Sequence, residues 1–311
     1  MEATTKKRTL KDYLWLFFNG FLMGSADVVP GVSGGTMAFI LGIYEELLGS
    51  IQAVNTDFIR KLLKFQIREI LDEFPWRFLL AVALGIFAAI FTLAEGLSWA
   101  LENYPTLVWG FFFGLVVASI ITVRKRIKKW TPTAIFAMVA AAVALYVIIG
   151  LVPAETPEAG WFLFLTGAVV ICGMILPGIS GAFLMVLLGK YEYILNAVVE
   201  RDFVPLILVA LGAGIGLLSI ARFLKWLFAN YHDVTVAALI GLMIGSLRKI
   251  WPWKETLTTT IDRHGAVVPL TEANILPSSM GEFMIVLGLM LLGVALVLVL
   301  DRFSPDEQLH A

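Results

Sequence analysis

The sequence predicts an all-α polytopic membrane protein made of two inverted repeats, each a re-entrant helical hairpin followed by three transmembrane helices. Composition is the first observation behind this prediction: of 311 residues, 59% are apolar and 15% are charged, whereas about 45–50% of an ordinary soluble domain is apolar. An internal repeat and the placement of basic residues are the other two. A formal charge of −1 and a single cysteine argue against nucleic-acid-binding, disordered and disulfide-rich proteins.

The chain repeats itself around a proline-glycine motif. The segment 30–45, which begins Pro-Gly-Val-Ser-Gly, recurs 147 residues later with Pro-Gly-Ile-Ser-Gly at its start. A second block, 82–119, recurs 127 residues later. Repeats of this length indicate duplicated structural units. We therefore divide the chain into two repeats, 1–152 and 153–311.

The first repeat is about twenty residues longer than the second, and we place the difference at 52–76, where the charge pattern predicts a cytosolic amphipathic insert. Crossing the hydrocarbon of a membrane takes roughly 20 apolar residues. The stretches that qualify are 77–100, 105–123, 133–152, 204–229, 233–247 and 281–301.

Around each proline-glycine motif the apolar sequence is broken into two short pieces. These pieces are 13–27 with 33–50, and 161–176 with 179–199. We predict a re-entrant hairpin at about 13–50 and another at about 161–199, with glycine-rich tips at membrane depth, where protein or a watery cavity must cover the freed backbone groups. Two full but kinked spans are the alternative.

Basic residues predict the orientation. The loop 124–129 contains five Lys or Arg residues and is placed in the cytoplasm by the positive-inside rule. Both termini are then cytoplasmic, the acidic loop 152–160 is external, and the two hairpins enter from opposite faces, which makes the repeats inverted. The segment 248–280 becomes an external loop, although its four basic residues count against that side.

The proline-glycine motifs are the candidate binding site. A helix that begins after such a motif presents unpaired backbone N–H groups, and the glycines let an anion approach the backbone. The candidates for binding a phosphate or carboxylate are Gly31, Ser33, Gly34, Gly35, Thr36, Gly178, Ser180 and Gly181. The simpler interpretation is that the glycines form tight turns and the serines are helix N-caps. Two motifs at symmetric positions favour the binding site.

A charged residue within an apolar stretch is costly in a membrane and therefore indicates a function or a specific partner. Arg222 occupies the repeat position of Glu95 and is a further candidate for phosphate binding or for pairing with Glu95; a cation that extends to the membrane interface is the alternative. Asp27 ends the first hairpin helix, where its charge opposes the helix dipole, so ion coupling or capping of the next helix is expected.

Two Tyr-Glu pairs recur about a dozen residues after the serines. Glu45 and Glu192, like Glu95, are candidates for ion coupling or gating. The alternative for the two pairs is that Tyr44 and Tyr191 anchor at the membrane interface beside solvated carboxylates. The three histidines give no zinc or nucleophile arrangement, so no cofactor, metal or catalytic residue is assigned. Coupling to H⁺ or Na⁺ stays open.

The sequence Gly-x-Ala-Asp-x-Val-Pro-Gly-Val-Ser-Gly-Gly-Thr, continuing to Ile-Tyr-Glu over 24–45, resembles the signature of the polyprenyl-phosphate transporter family of the PopT type. The segment 176–183 is similar to it as well. The resemblance implies a cytoplasmic-membrane protein that returns undecaprenyl phosphate, or a related carrier lipid, to the inner leaflet after cell-envelope polymers such as peptidoglycan have been made. The second motif departs from the first, with Met174 in place of Asp27 and 182–183 reading Ala-Phe instead of Gly-Thr.

Other functions fit parts of the sequence. An integral-membrane undecaprenyl-pyrophosphate phosphatase also has broken hairpins, but here no arginine follows Ser33 or Ser180 to bind a diphosphate. A transporter of small soluble anions is another alternative. The expected partners are a polyprenyl-phosphate lipid and the surrounding membrane lipids, with no nucleic acid and no obligate protein partner.

Overall fold

The computed structural model describes residues 8–27, 33–153, 156–261 and 267–303, and it is mostly helical (78%). The elements, in chain order, are α1 (Leu10–Asp27), α2 (Gly34–Ile40), α3 (Tyr44–Gln52), α4 (Thr56–Leu63), α5 (Ile67–Glu73), α6 (Trp76–Asn103), α7 (Pro105–Val123), α8 (Pro132–Ile149), α9 (Gly160–Ile175), α10 (Gly181–Leu187), α11 (Tyr191–Glu200), α12 (Phe203–Ser246), β1 (Lys254–Ile261), β2 (Val267–Asn274) and α13 (Met280–Phe303).

Each hairpin contains one more break than the sequence predicted. The predicted arm 33–50 is two helices, α2 and α3, and 179–199 is α10 and α11, bent by 103°. Gly42 (φ 78°) and Gly189 (φ 63°) end α2 and α10 in the left-handed conformation that favours glycine. Equivalent backbone bonds close both turns, from Ile43 N to Ala38 O and from Lys190 N to Met185 O.

Five helices of the described chain, α6, α7, α8, α12 and α13, are long and apolar enough to cross a membrane. Helix α12 has 44 residues, about 66 Å at 1.5 Å per residue, twice the roughly 30 Å of the hydrocarbon layer. It is interrupted at Tyr231, whose backbone is non-helical (φ −139°, ψ 47°). The predicted spans 204–229 and 233–247 are the two parts of this helix.

The break between α6 and α7 has the same geometry as the break in α12. Tyr104 separates α6 from α7 with φ −138° and ψ 50°, and it lies 127 residues before Tyr231. Two positions related by the sequence repeat therefore share an uncommon backbone conformation.

Closely packed glycines also recur at repeat positions. The backbone of Gly20 in α1 lies against the carbonyl of Val82 in α6, so that a Cβ would collide with it, and Gly167 in α9 lies in the same way against Val209 in α12. Small residues allow this approach between membrane helices. Helix α1 thus packs on α6 as α9 packs on the first part of α12.

In each half, the second long helix packs against the third long helix of the other half. Gly114 of α7 lies against Met290 of α13, and Gly241 of α12 lies against Met138 of α8. Gly241 is the repeat counterpart of Gly114. The two halves are thus joined by a pair of equivalent helix contacts.

Helix α7 and its counterpart, the second part of α12, run in opposite directions. Asp233, at the start of the counterpart, accepts hydrogen bonds from the amides of Lys128 (3.0 Å) and Lys129 (2.9 Å), which follow the end of α7. Beyond its other end, the Trp251 ring lies 5.5 Å from the ring of Phe113 in the middle of α7. The Lys254 ammonium lies 4.5 Å from the ring centroid of Trp109, nearer the start of α7. We call these two ends of the molecule the basic-loop face and the β-hairpin face.

The segment 248–280, predicted as an external loop, contains an antiparallel hairpin. Strands β1 and β2 pair in the register Lys254 with Asn274, and the hairpin base is closed by a bond from Ile275 N to Trp253 O (3.0 Å). Its anchor to the helices is Asn274, whose side-chain amide donates to Arg248 O (2.9 Å). The threonine-rich run 256–261 is typical of strands.

The insert predicted at 52–76 forms α4 and α5, in which no residue is buried. Lys61 pairs with Glu73 and, at 3.5 Å, with Glu69, joining the two helices. Several apolar side chains on the insert are exposed, among them Leu63 and Phe65. The exposed apolar side agrees with an amphipathic segment.

Candidate anion-binding site

The breaks of both hairpins lie beside the middle of long helices. Gly24 packs against Ile86, which lies well inside the 28-residue α6, and α1 ends three residues later at Asp27. In the second half, Gly216 near the middle of the first part of α12 packs against Ala168 of α9. Helices α1 and α9, which lead into the hairpins, therefore both end part-way along a membrane helix.

The two breaks contact each other. Gly35 of the first hairpin faces the backbone of the second, and a Cβ there would lie 2.7 Å from Ile175 O. Three side chains of the first hairpin bond to backbone atoms of the second: Ser33 Oγ donates to Met174 O (3.1 Å), Tyr44 OH donates to Ile175 O (3.0 Å), and Thr36 Oγ1 accepts from Gly178 N (2.9 Å).

The backbone amides at the start of α2 are already occupied. Asp27 Oδ1 accepts from Gly34 N (2.6 Å), and Ser33 Oγ accepts from Gly35 N (3.1 Å). The Asp27 carboxylate lies so close to Gly34 that a Cβ would meet it at 2.4 Å. A carboxylate of the protein thus fills the anion position predicted for the first hairpin. Gly31 lies outside the described residues.

The start of α10 is different. No side chain caps it, and the half-buried Ser180 hydroxyl has no hydrogen-bond partner in the described part of the chain. Met174 takes the place of the capping acid, and Ala182 is exposed at the helix start. Only the second hairpin presents an open helix start.

The two hairpins also differ in burial: the first is packed inside the protein, and the second is partly exposed. Phe39 and Tyr44 are 0% and 1% exposed, and their rings pack with Phe228 of α12. Tyr191, the counterpart of Tyr44, is 39% exposed. The expectation that Tyr44 is an interfacial anchor is wrong, because the turn at Gly42 directs α3 into the protein.

A cavity of about 580 Å³ opens beside the second hairpin on the β-hairpin face. Its walls are α10, the end of α8 and the two strands. Apolar side chains line one part, including Phe183, Val186 and Leu257, and charged side chains line another: Arg248, Lys249, Lys254 and Glu272.

Two lysines share one carboxylate in this cavity, and an arginine lies beside them. Glu272 Oε2 lies 3.4 Å from Lys249 Nζ and 3.3 Å from Lys254 Nζ, while Arg248 donates to Tyr146 O at 2.7 Å. Burial, together with the nearby Lys249, lowers the pKa of Lys254 to about 8. Burial alone raises the pKa of Glu272, but the two lysines outweigh it and hold that pKa below its ordinary value.

The remaining predicted charges lie apart from the hairpin contact. Arg222 and Glu95 are exposed on their helices, and the described chain contains no ion pair between them. Glu45 and Glu192 are exposed at the first turns of α3 and α11. No group of three His, Cys, Asp or Glu residues in the described segments is arranged to hold a metal ion.

Two buried polar residues were missed by the sequence analysis. Asn19 in α1 is 0% exposed and Thr166 in α9 is 1% exposed, and their side-chain polar atoms have no hydrogen-bond partner in the described structure. They are related by the 147-residue repeat. A polar residue at the same place in two apolar helices was the signal that could have identified them.

The long apolar helices, the broken hairpins beside them and the charged cavity define a polytopic integral membrane protein. The chain belongs to the undecaprenyl phosphate translocase-like family, whose sequence profile matches residues 23–268. That range includes both hairpin breaks and Lys254, whereas Glu272 and α13 lie beyond it.

Two curated relatives cover most of the chain. A polyprenyl-phosphate transporter of Vibrio cholerae serotype O1 is 40% identical over 94% of this chain and 97% of its own. A polyprenyl-phosphate transporter of Staphylococcus aureus is 27% identical over 78% of this chain and 88% of its own. No solved structure matches the chain significantly.

Proposed function

We propose that this protein transports a polyprenyl phosphate from the outer to the inner leaflet of the cytoplasmic membrane, which returns the lipid carrier for cell-envelope synthesis. The observation that carries this proposal is the contact between two broken hairpins beside the middle of membrane helices. The relatives named polyprenyl-phosphate transporters support the substrate class.

We infer that the halves 1–152 and 153–311 are inverted repeats with re-entrant hairpins. The opposite directions of α7 and the second part of α12 support the inversion, as do the equivalent glycine contacts of both halves. Inverted repeats with broken helices are common in transporters, whose binding sites lie where the repeats meet.

The positive-inside rule places the basic-loop face in the cytoplasm, because residues 124–129 lie there. Both termini are then cytoplasmic, and the cavity beside α10 faces outwards. The different burial of the two hairpins supports two alternating states. In this structure the first hairpin is buried and the start of the second is open. We infer that exchanging their arrangements would open the cytoplasmic side instead.

The phosphate is the part of the substrate that the protein must shield from the hydrocarbon of the membrane. A phosphate in hydrocarbon is very costly without polar partners, whereas the prenyl chain can remain in the lipid. The open start of α10, with Ser180 and the amide of Gly181, is where we place the phosphate in the outward-open state. Ser33, Thr36 and the amides of α2 replace these ligands in the inward-open state.

Asp27 is the proposed coupling residue. Its carboxylate holds the Gly34 amide, which the phosphate would need. Protonation of Asp27 weakens that bond and removes a negative charge that repels the substrate. A proton that binds Asp27 therefore favours transfer of the phosphate to the first hairpin, and Na⁺ coupling is the alternative that the experiments below distinguish.

Liposomes that contain a tail-labelled polyprenyl phosphate test the function. An external phosphatase hydrolyses only outer-leaflet phosphate, so protein-free liposomes protect the inner pool, and we expect the wild-type protein to expose that pool. Exchange is expected to be slower with Ser33→Ala and Ser180→Ala, which lose proposed phosphate ligands. Arg222→Ala tests separately whether this exposed cation of α12, which lies apart from the hairpin contact, meets the phosphate during transfer. Ser219→Ala, on the exposed side of α12, is the matched control.

Two results would contradict the proposal. The first is an inner pool that stays as protected as it is without protein. The second is release of phosphate from a polyprenyl diphosphate by the purified protein, which would identify the phosphatase activity instead. Wild-type exchange in all three variants would remove these residues from the site but leave the function standing.

A further inference from the structure

Beyond the hairpin breaks, the structure contains a second place suited to an anionic lipid. We propose that the cavity between α10, the end of α8 and the β-hairpin is a loading site that binds the phosphate of a polyprenyl phosphate, with Arg248, Lys249 and Lys254 as its ligands. This inference rests on the proposed function and adds residues that the sequence analysis did not assign.

Charge is the first argument. Arg248, Lys249 and Lys254 line the cavity with Glu272 as the one carboxylate among its lining residues. Three cations and one carboxylate leave the cluster with two net positive charges. A phosphate monoester carries close to two negative charges at neutral pH and would therefore neutralise the cluster. The Lys254 side chain is only 10% exposed, so its interaction with an anion is weakly screened by solvent.

The polar atoms are held in place before any ligand arrives. The Arg248 guanidinium stacks 4.4 Å from the centroid of the Tyr146 ring, and the Lys254 ammonium lies 4.5 Å from the centroid of the Trp109 ring. Glu272 bridges the two lysines. Such preorganisation lowers the entropy lost on binding.

The shape of the cavity favours a lipid over a free phosphate ion. A volume of about 580 Å³ lies within the roughly 300–1,000 Å³ of ordinary small-molecule sites and greatly exceeds what one phosphate needs. Phe183, Val186 and Leu257 provide an apolar wall next to the cations. An amphiphile with a phosphate joined directly to isoprene units matches both surfaces.

The position of the cavity suits a loading step. Ala182 and Phe183 in its wall follow directly after Ser180 and Gly181, where the transport site is proposed. The Lys249 ammonium lies 5.9 Å from the centroid of the Phe183 ring. A phosphate released from the lysines is therefore only a short distance from the start of α10.

Binding of short soluble ligands to the purified full-length protein in nanodiscs tests the inference. The probes are farnesyl phosphate, inorganic phosphate and farnesol, measured by isothermal titration. We expect farnesyl phosphate to bind more tightly than the other two. Lys249→Gln is expected to weaken its binding at least tenfold, because a charge-assisted hydrogen bond is lost, and Lys249→Gln with Lys254→Gln is expected to abolish it.

Arg201→Gln is the matched control, since Arg201 is an exposed basic residue at the end of α11 that does not line the cavity. Thermal unfolding checks that each variant is folded. Equal binding of farnesyl phosphate to the wild type and to Lys249→Gln would overturn the proposal, as would an inorganic phosphate affinity equal to that of farnesyl phosphate.

The leaflet-exchange assay separates this inference from the proposed function. Wild-type exchange by the double lysine variant would refute the loading site and leave transport intact. Tight binding at the lysines by a protein that exchanges no lipid would support the cavity as a phosphate-lipid site and refute transport.

Discussion

Asp27 and Met174 occupy the same position of the two repeats but leave their hairpins in different chemical states. Asp27 satisfies an amide of α2 and brings a negative charge to it, whereas Met174 leaves the start of α10 uncapped. This difference gives the first hairpin an ionisable group and leaves the start of α10 without a side-chain cap.

Asp27→Asn tests the coupling proposal at this residue. The amide oxygen of Asn can still accept from Gly34 N, so we expect the hairpin to fold and the exchange rate to lose its response to an imposed proton gradient. Leaflet exchange with and without a pH gradient measures this. A variant that keeps the full wild-type response, or a wild-type protein that responds only to a Na⁺ gradient, would contradict proton coupling at Asp27.

The pKa of Lys254 determines how the proposed lipid binding should depend on pH. Its pKa is lowered to about 8 by burial and by Lys249, against the opposing effect of Glu272. The lysine is charged below this value and neutral above it, so the affinity for farnesyl phosphate should fall as the pH rises from about 7 to about 10.

Titration of farnesyl phosphate at several pH values measures this change. The other charged groups that face the site are Arg248, Lys249 and Glu272. The pKa of Glu272 is held below its ordinary value, so Glu272 stays ionised over this range. Lys254→Gln should therefore bind more weakly at neutral pH and show a flatter profile. An affinity of the wild type that stays constant would show that Lys254 does not contact the phosphate.

At the scale of elements, the contact between the hairpins depends on the absence of a side chain at Gly35. A Cβ there would lie 2.7 Å from Ile175 O, and backbone cannot move aside cheaply. We expect Gly35→Ala to destabilise the protein by about 1–3 kcal/mol and to lower its thermal midpoint.

Gly49→Ala in α3 is the control for Gly35→Ala, because nothing lies within 4 Å of a Cβ at Gly49. There the change should be neutral or stabilising by up to about 1 kcal/mol, since alanine is the better helix former. A Gly35→Ala protein as stable as Gly49→Ala would mean that the hairpins do not touch as described.

The β-hairpin can be removed without separating the chain ends that it joins. Trp253 and Ile275 are hydrogen-bonded to each other, so a short glycine-serine linker can replace 254–274. We expect a folded protein, judged by its thermal midpoint, that binds farnesyl phosphate at least tenfold more weakly. Undiminished binding would contradict a role of the strands in the loading site.

The sequence predicted the long helices well and the short ones poorly. Helix α7 has the predicted bounds 105–123, because an apolar run of membrane length has few other ways to satisfy its backbone. The turns at Gly42 and Gly189 were not predicted, since glycine within an apolar stretch is also compatible with a continuous helix. The strands were not predicted, because the segment 248–280 was interpreted as an external loop from its threonine and proline content and its position between two spans.

At the scale of the whole molecule, the hairpin contact was predictable and the cavity was not. The repeated motif predicted that the two hairpin breaks face each other, because symmetric halves bring equivalent breaks together. Ser33, Thr36 and Gly178 were predicted as anion ligands, and in the structure they take part in the bonds between the hairpins. The cavity combines residues from α8, α10 and the β-hairpin, which lie up to 125 positions apart, from Ile149 to Asn274. No local sequence pattern relates these residues, so they could be recognised as one site only from the folded structure.

The proposed orientation can be tested with equivalent residues of the two repeats. Glu45 and Glu192 are both exposed at helix starts, and inverted repeats place them on opposite sides of the membrane. In a Cys172→Ala background, we expect an impermeant thiol reagent applied to intact cells to label Glu192→Cys and to reach Glu45→Cys only after permeabilisation. Labelling of both from outside would contradict the inversion.

The charged cavity under the β-hairpin has a consequence for chemical intervention. It opens on the face that the proposed orientation exposes to the medium, and its volume of about 580 Å³ suits a drug-sized molecule. A compound with an anionic group that pairs with the lysines and an apolar group that packs on the apolar wall would block the cavity from outside. Under the proposed function and orientation, such an inhibitor would stop the return of the carrier lipid without having to enter the cell.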